Sequence, residues 1–407
     1  MNVLHYLFSI SKFILSQFYT ILFGRKLLQE NIWLVGEKKT EARDNGYHFF
    51  RYLRLNHPEI KAVYAISKDS VDRKKVADLG EVVDYGSFKH CVYYISAKIR
   101  ACSQVHGLIP FDDVIGLRHF CVYKRKNQKQ INLKHGISKD FRPGSFNFRK
   151  VGFDLYIAGA KPEYDEIKKQ FHYPDKNIAL TGFCRFDSLH NLPKPKKIIL
   201  IMPTFRAWLK TSDSSKVKAT DEEMQKFKES AYYEAYQNLL TDQDLIDCAA
   251  KNGYKLMFYL HYTFQPYVGA FESVANDSVT ICRRGEYDVQ NLLIQSSMLI
   301  TDYSSVFFDY GYMKKPMAFY QFDLEEYRNK HYKEGYFSYE RDAFGPLVKT
   351  KEDLVEYIQH VINQNMNMDE MYKKRAENFF IPYDDKNCER VYQATLNLLE
   401  ENDAQIK

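Results

Sequence analysis

Short apolar runs that close on glycine recur along the first half of the chain: NIWLVG at 31–36, QINLKHG at 130–136, FDLYIAG at 153–159 and NIALTG at 177–182. Each reads as a buried strand turning toward a helix, and helical stretches lie between them, which is the pattern of parallel α/β units. KAVYAIS and EVVDYG supply further strands, with a helix expected from Gly46 to Asn56 and another beginning near Ser70. In open sheets of this type ligands bind beyond the carboxyl ends of the strands, so residues just past these runs are the first candidates for chemistry.

HNLPKPKK, near residues 188–197, interrupts the rhythm with two prolines and three lysines and reads as a linker. A second series follows, with strands expected at KIILIMP, YKLMFYL, SVTIC, SMLIT and MAFY. Thr220 with Glu223 three residues on forms a capping box at a helix start, and residues 207–219, rich in Lys, Ser and Thr, read as a mobile loop. The last 50 or so residues read as helices alone. A length of 407 residues suits two domains of this kind. The expected divisions are an amphipathic helix at 1–26, Rossmann-like domains at 27–190 and 196–385, and a terminal helix at 386–407.

Residues 3–23 are strongly apolar, yet His5, Ser9, Lys12, Ser16 and Thr20 recur at spacings of three and four along one helical stripe. Lys12 near the centre argues against a spanning helix, which needs roughly 20 apolar residues. No basic region precedes the stretch and no small-residue cleavage site follows it, which argues against a signal peptide. Two readings remain: a helix lying in the membrane interface, with Arg25 and Lys26 meeting anionic headgroups, or a helix packed on its own protein.

The charge balance is mild, 58 Lys and Arg against 52 Asp and Glu, with the basic runs short and interrupted. That excludes a nucleic-acid protein with a concentrated basic face and leaves room for a phosphate-rich substrate or an anionic membrane. Seven scattered cysteines with no CxxC pair point to a reduced cytosolic compartment and no zinc site. No acidic cluster calls for a divalent metal, and no cofactor is expected.

LITDYSSVFFDY at 299–310 is the strongest local signal. A strand ending at Thr301 runs into a helix starting near Ser304, so unpaired N–H groups, the helix dipole and the hydroxyls of Ser304 and Ser305 form an anion site suited to a diphosphate. An ordinary N-cap using Asp302 or Ser304 explains the same residues. Asp309 lies a turn further in. Three other candidates sit at strand ends: His135 in LKHGISKD, with Lys139 four residues on, Arg206 in MPTFR, and His261 in FYLHYTF.

As an ordered set these motifs resemble the CDP-glycerol glycerophosphotransferase family of teichoic acid primases and polymerases. KHGISKD resembles the family's His-Gly segment, PTFR its Pro-Thr-aromatic-Arg segment, and DVQNLLIQSSMLITDYSSVFFDY with KPMAFYQFDLEEY its signature block. WLVGEKKTEARDNGYHFFRYL and HPEIKAVY look like its first domain. Where the family commonly has His-Pro, this chain has His261 followed by Tyr262, and GPLV near Gly345 lacks the first proline of a family Pro-Gly-Pro turn.

The resemblance implies a GT-B-like α/β architecture, two Rossmann-like domains facing a central cleft, at the cytoplasmic face of the membrane. It implies transfer of glycerol phosphate from CDP-glycerol to a lipid-linked or polyol phosphate acceptor with release of CMP. CDP-ribitol or a nucleotide sugar as donor, and a silent phosphopolymer-binding protein, are the alternatives. His135 is the expected general base, with His261 and Arg206 completing the catalytic set. Gly136, Lys139, Thr204, Asp302, Tyr303, Ser304, Ser305 and Asp309 are the expected substrate-binding residues.

Overall fold

The computed structural model describes residues 3–111, 120–121, 123, 125–142, 144, 146–212 and 218–404. The chain divides into two units: residues 1–137, 143–188 and 382–407 form the first, and residues 138–142 and 189–381 the second.

The first unit is built on seven parallel strands: β1 (Ile32–Gly36), β2 (Lys61–Ile66), β3 (Glu81–Asp84), β4 (Ile99–Cys102), β5 (Lys129–Asn132), β6 (Leu155–Ala158) and β7 (Ile178–Leu180). Their order is β3-β2-β1-β4-β5-β6-β7, so the chain reverses direction across the sheet between β1 and β4. β1 is buried at every position because helices cover both faces of a sheet of this kind, and such strands read as unbroken apolar runs. The expected helix after β1 spans Asn45–Asn56, and the one expected near Ser70 is a short turn at Arg73–Ala77. β4 was hidden in the sequence because IRAC carries a charge inside a four-residue run. The terminal helix Asn387–Ala404 belongs to this unit, with Asn387 donating to Asp187 Oδ1 through both its backbone N–H and its side-chain amide, each at 2.7 Å.

The second unit repeats the plan with six parallel strands: β8 (Ile198–Ile201), β9 (Lys255–Tyr259), β10 (Val279–Cys282), β11 (Met298–Thr301), β12 (Met317–Tyr320) and β13 (Leu347–Val348), in the order β10-β9-β8-β11-β12-β13. All but the two-residue edge strand β13 coincide with the expected runs. The capping box forms as expected: Glu223 N–H donates to Thr220 Oγ1 at 3.2 Å and Thr220 N–H to Glu223 at 2.9 Å. Of the expected loop at 207–219, Ala207–Leu209 is a 3₁₀ turn, and residues 213–217 lie outside the described residues.

The helix Val3–Phe23 has an inverted polarity. Ser9, Ser16, Gln17 and Thr20 are buried with Ile10 and Phe13, whereas Leu7, Phe8, Leu15, Phe18, Tyr19 and Leu22 are exposed. The buried polar groups are satisfied locally: Ser16 donates to the Phe13 carbonyl and Thr20 to the Ser16 carbonyl, each at 2.7 Å, and Gln17 bonds the backbone of Phe120 and Tyr123. At about 100° per residue the exposed set falls on one side of the helix. The polar stripe read from the sequence therefore faces the protein, and the apolar stripe faces outward.

Candidate active site

In the first unit the site is built from the loop after β1. The Glu37 carboxylate accepts backbone N–H bonds from Arg43 (2.9 Å), Asp44 (2.8 Å) and Tyr47 (2.7 Å), tying that loop to the start of helix Asn45–Asn56. Burial, and next the Asp44 charge, push the Glu37 carboxyl up to about 8, against the pull of those three donors. Asp44 caps the helix by accepting from Asn45 N–H at 2.8 Å, and its other oxygen lies 2.6 Å from His135 Nδ1.

Lys134, at φ +62°, turns the chain out of β5 and presents His135. Left-handed backbone at a non-glycine residue costs roughly 1–3 kcal/mol and persists only where the surroundings fix it. Asn45 holds this turn through its amide, which donates to the carbonyls of Leu133 (3.2 Å) and Lys134 (2.9 Å). Arg185 Nη1 donates to both Asp44 (3.0 Å) and the His135 carbonyl (2.9 Å). Burial raises the Asp44 pKa, but the His135 and Arg185 charges outweigh it and hold the carboxyl below its ordinary value.

With Asp44 as partner the Nδ1 proton is assigned to that bond, so Nε2 carries the lone pair. The His135 side chain is 64% exposed and that of Asp44 15%. A carboxylate-oriented imidazole with an outward nitrogen is the arrangement of a general base. Gly136 lies half-buried in the bend that follows. Sequence reasoning missed Asp44, Asn45 and Arg185, although Asp44 directly precedes a helix and had the signature of an N-cap.

In the second unit the Arg206 guanidinium is bonded to groups of the protein itself. Its side chain is fully buried. Nε and Nη2 form a fork with Asp323 at 2.6 and 3.0 Å, and Nη1 donates to Asp302 (2.8 Å) and to the Thr204 carbonyl (2.7 Å). Burial works against its charge, but Asp302 and Asp323 more than offset this and raise its pKa well above the ordinary value. An arginine bonded to two carboxylates and packed among Tyr232, Tyr303 and Tyr327 forms a node at the carboxyl ends of β8, β11 and β12.

Asp302 and Tyr303, expected to bind substrate, belong to the same node. Asp302 is fully buried and accepts from Thr204 N–H at 2.8 Å, and the Tyr303 hydroxyl donates to Asp323 at 3.1 Å. Lys139 is likewise unsuited to direct contact: it is 4% exposed in the second unit and bonded to Asp140 at 2.7 Å. Burial lowers its pKa although Asp140 opposes this.

The remaining expected residues lie at and beyond the ends of β8, β9 and β11. The helix after β11 spans Val306–Tyr312, two residues later than expected, with Ser304 half-buried and Ser305 exposed before it and Asp309 half-buried within it. The Thr204 hydroxyl is buried with no hydrogen-bond partner among the described residues, leaving it available to a ligand or a water. His261 caps the 3₁₀ helix Tyr262–Val274, its Nδ1 accepting from Thr263 N–H at 3.3 Å, which assigns its proton to Nε2. Its ψ of 146° is the extended value that a following proline favours, so Tyr262 keeps the geometry without the ring.

Phe205 separates His261 from a second histidine that the sequence did not single out, His331, each ring centroid lying 4.7 Å from that of Phe205. His331 Nδ1 accepts from Ala207 N–H at 3.3 Å, and burial, then Arg206 and Lys210, hold its pKa down at about 4. His331 is thus a neutral imidazole whose Nε2 is a donor across the neutral range.

A solved structure of the wall teichoic acid polymerase TagF superposes with a TM-score of 0.68 at 17% identity, covering 100% of both chains, which establishes the shared fold. The minor teichoic acid biosynthesis protein GgaB of Bacillus subtilis (strain 168) is 32% identical over 382 residues, 93% of this chain and 40% of that protein. The teichoic acid poly(glycerol phosphate) polymerase of the same organism is 31% identical over 376 residues, 84% of this chain and 44% of its own length. The chain therefore spans less than half the length of these two relatives. The model of the CDP-glycerol:poly(glycerophosphate) glycerophosphotransferase family matches residues 17–397, taking in both sheets, the Asp44–His135 pair and the Ser304–Ser305 helix start, and the chain belongs to that family.

Proposed function

We propose that the chain transfers glycerol phosphate from CDP-glycerol to a hydroxyl of a lipid-linked or polymeric acceptor, releasing CMP. The observation that carries this reading is the Asp44–His135 pair with its outward Nε2. A bond forms between the acceptor oxygen and the glycerol-side phosphorus as the bond from that phosphorus to the bridging oxygen breaks. His135 Nε2 takes the acceptor's proton, and Asp44 stabilises the imidazolium. CMP leaves as a phosphate monoester with a second pKa of about 6, so it needs charge stabilisation more than protonation. The hydroxyls of Thr204, Ser304 and Ser305 and the Nε2–H groups of His261 and His331 are the donors suited to that task.

The acceptor end of the reading rests on the helix Val3–Phe23. Its exposed apolar face suits the acyl boundary of a bilayer, with Arg25 and Lys26 at the headgroups of the cytoplasmic leaflet. Lys12 and Lys39 line a cavity of about 300 Å³ beside this helix whose lining contains no Asp or Glu, a setting for the phosphate of a lipid-linked acceptor. Incubating full-length protein with an acceptor and either CDP-glycerol, CDP-ribitol or a nucleotide sugar tests the whole reading. CMP release with CDP-glycerol is expected; product only with another donor reassigns the substrate, and none with any donor refutes a transferase.

A further inference from the structure

Arg100 lies on β4, inside the sheet of the first unit, and is 9% exposed. Strands covered on both faces are normally apolar, and a guanidinium taken out of water is costly unless a carboxylate meets it. Among the described residues no carboxylate pairs with Arg100, and its Nε has no hydrogen-bond partner. The guanidinium rests 4.2 Å from the centroid of the Tyr94 ring, a contact that offsets only part of the cost. Gln130 is the register partner of Arg100 on the adjacent strand β5. Both side chains line a cavity of about 140 Å³ that also touches His106 and Cys102 and has no Asp or Glu in its lining. Two neighbouring strands thus direct a cation and an amide into one small chamber whose lining, among the described residues, holds no carboxylate.

We propose that this chamber binds a phosphate-type oxyanion, with Arg100 and Gln130 as its ligands. The guanidinium supplies charge-assisted, two-pronged donation to the oxyanion, and the Gln130 amide adds a neutral donor beside it. The residues involved are distinct from the Asp44–His135 pair and from the hydroxyl and histidine donors of the second unit, so the site stands whether or not CDP-glycerol is the donor.

The test compares full-length wild type with Arg100→Met and Gln130→Leu, measuring melting temperature and equilibrium dialysis of radiolabelled inorganic phosphate at millimolar concentration. Wild type is expected to bind phosphate saturably and to melt higher as it does so. Arg100→Met removes an unpaired buried charge, so in phosphate-free buffer it is expected to melt about 3 °C higher than wild type while binding phosphate at least about tenfold more weakly. Gln130→Leu is expected to weaken binding without abolishing it, and carries the test should the arginine variant fail to fold. CMP release by both variants is expected to stay near wild type, which separates this site from the transferase reading. Parallel arms with glycerol 1-phosphate and with phosphatidic acid in phosphatidylcholine vesicles tell a free phosphate ester from a lipid-borne one. The proposal is overturned if wild type binds no phosphate in any arm, if Arg100→Met lowers the melting temperature and leaves binding intact, or if His135→Ala rather than Arg100→Met abolishes binding.

Discussion

Asp44→Asn removes the charge that faces His135 and Arg185 while keeping the cap, because asparagine caps a helix about as well as aspartate and so preserves the start of Asn45–Asn56. In wild type Asp44 Oδ2 lies 2.6 Å from His135 Nδ1, and the imidazole is 64% exposed, so solvent screens the pair. Coulomb's law at that separation gives about 1.6 kcal/mol at the dielectric of water and about 3 kcal/mol at half that value. If this attraction is present only once His135 has taken the acceptor proton, its loss appears in the rate as a factor of about 15 to 160. The asparagine amide can also turn its N–H toward Nδ1 and select the wrong tautomer, which drives the effect toward the upper end. Single-turnover CMP release at saturating CDP-glycerol reads the chemical step, and titration of the donor reads binding. We expect the rate to fall by about 10- to 1,000-fold, with donor affinity within about threefold of wild type and the folded fraction unchanged. A fall of less than threefold, or an equal fall on the His135→Ala background, would refute Asp44 acting through His135.

Arg206→Ala leaves Asp302 and Asp323 as buried, unpaired carboxylates, so it is expected to cost about 3–5 kcal/mol in a denaturant titration; a folded variant of normal stability with weakened donor binding would restore the phosphate role. The His331 pKa is held at about 4, below the ordinary value of 6.5, so its contribution to stability is full above pH 6.5 and is lost as the pH falls through 4. Discounted for partial exposure, that loss is about 1–2 kcal/mol, and it should vanish in His331→Asn when melting is followed from pH 7 to pH 4. Leu15→Glu with Phe18→Glu places two charges on the exposed apolar stripe and is expected to abolish co-sedimentation with anionic vesicles while leaving the melting temperature within about 2 °C. Undiminished sedimentation would remove that face from the membrane.

The sheets were legible because a strand buried on both faces has to be apolar, and NIWLVG or KIILIMP has no other use for such a run. The one internal strand that escaped, β4, did so because Arg100 puts a charge inside a four-residue run, and the edge strand β13 is too short to carry a pattern. The candidates at strand ends were chosen by position, and His135, Thr204, His261 and Ser304 do follow β5, β8, β9 and β11. Their roles were harder to read. Nothing local to PTFR says that Asp302 and Asp323, 96 and 117 residues away, saturate the Arg206 guanidinium, and nothing local to KHG says that Asp44, 91 residues earlier, orients its histidine.

Arg100 and Arg206 show why pairing rather than residue type decides function. Both are buried at or near the strands of a parallel sheet. Arg206 meets two carboxylates, so its charge is matched within the protein, and it ties together the ends of three strands. Arg100 meets no carboxylate among the described residues, so its desolvation cost is left for an anion to offset. The sign of the stability change on removing each arginine therefore separates them: truncating Arg206 strands two charges and destabilises, whereas replacing Arg100 by methionine removes one and stabilises. A sequence motif ending in arginine marks where a cation lies, but the count of carboxylates brought to it by distant strands determines whether it binds a substrate or the protein itself.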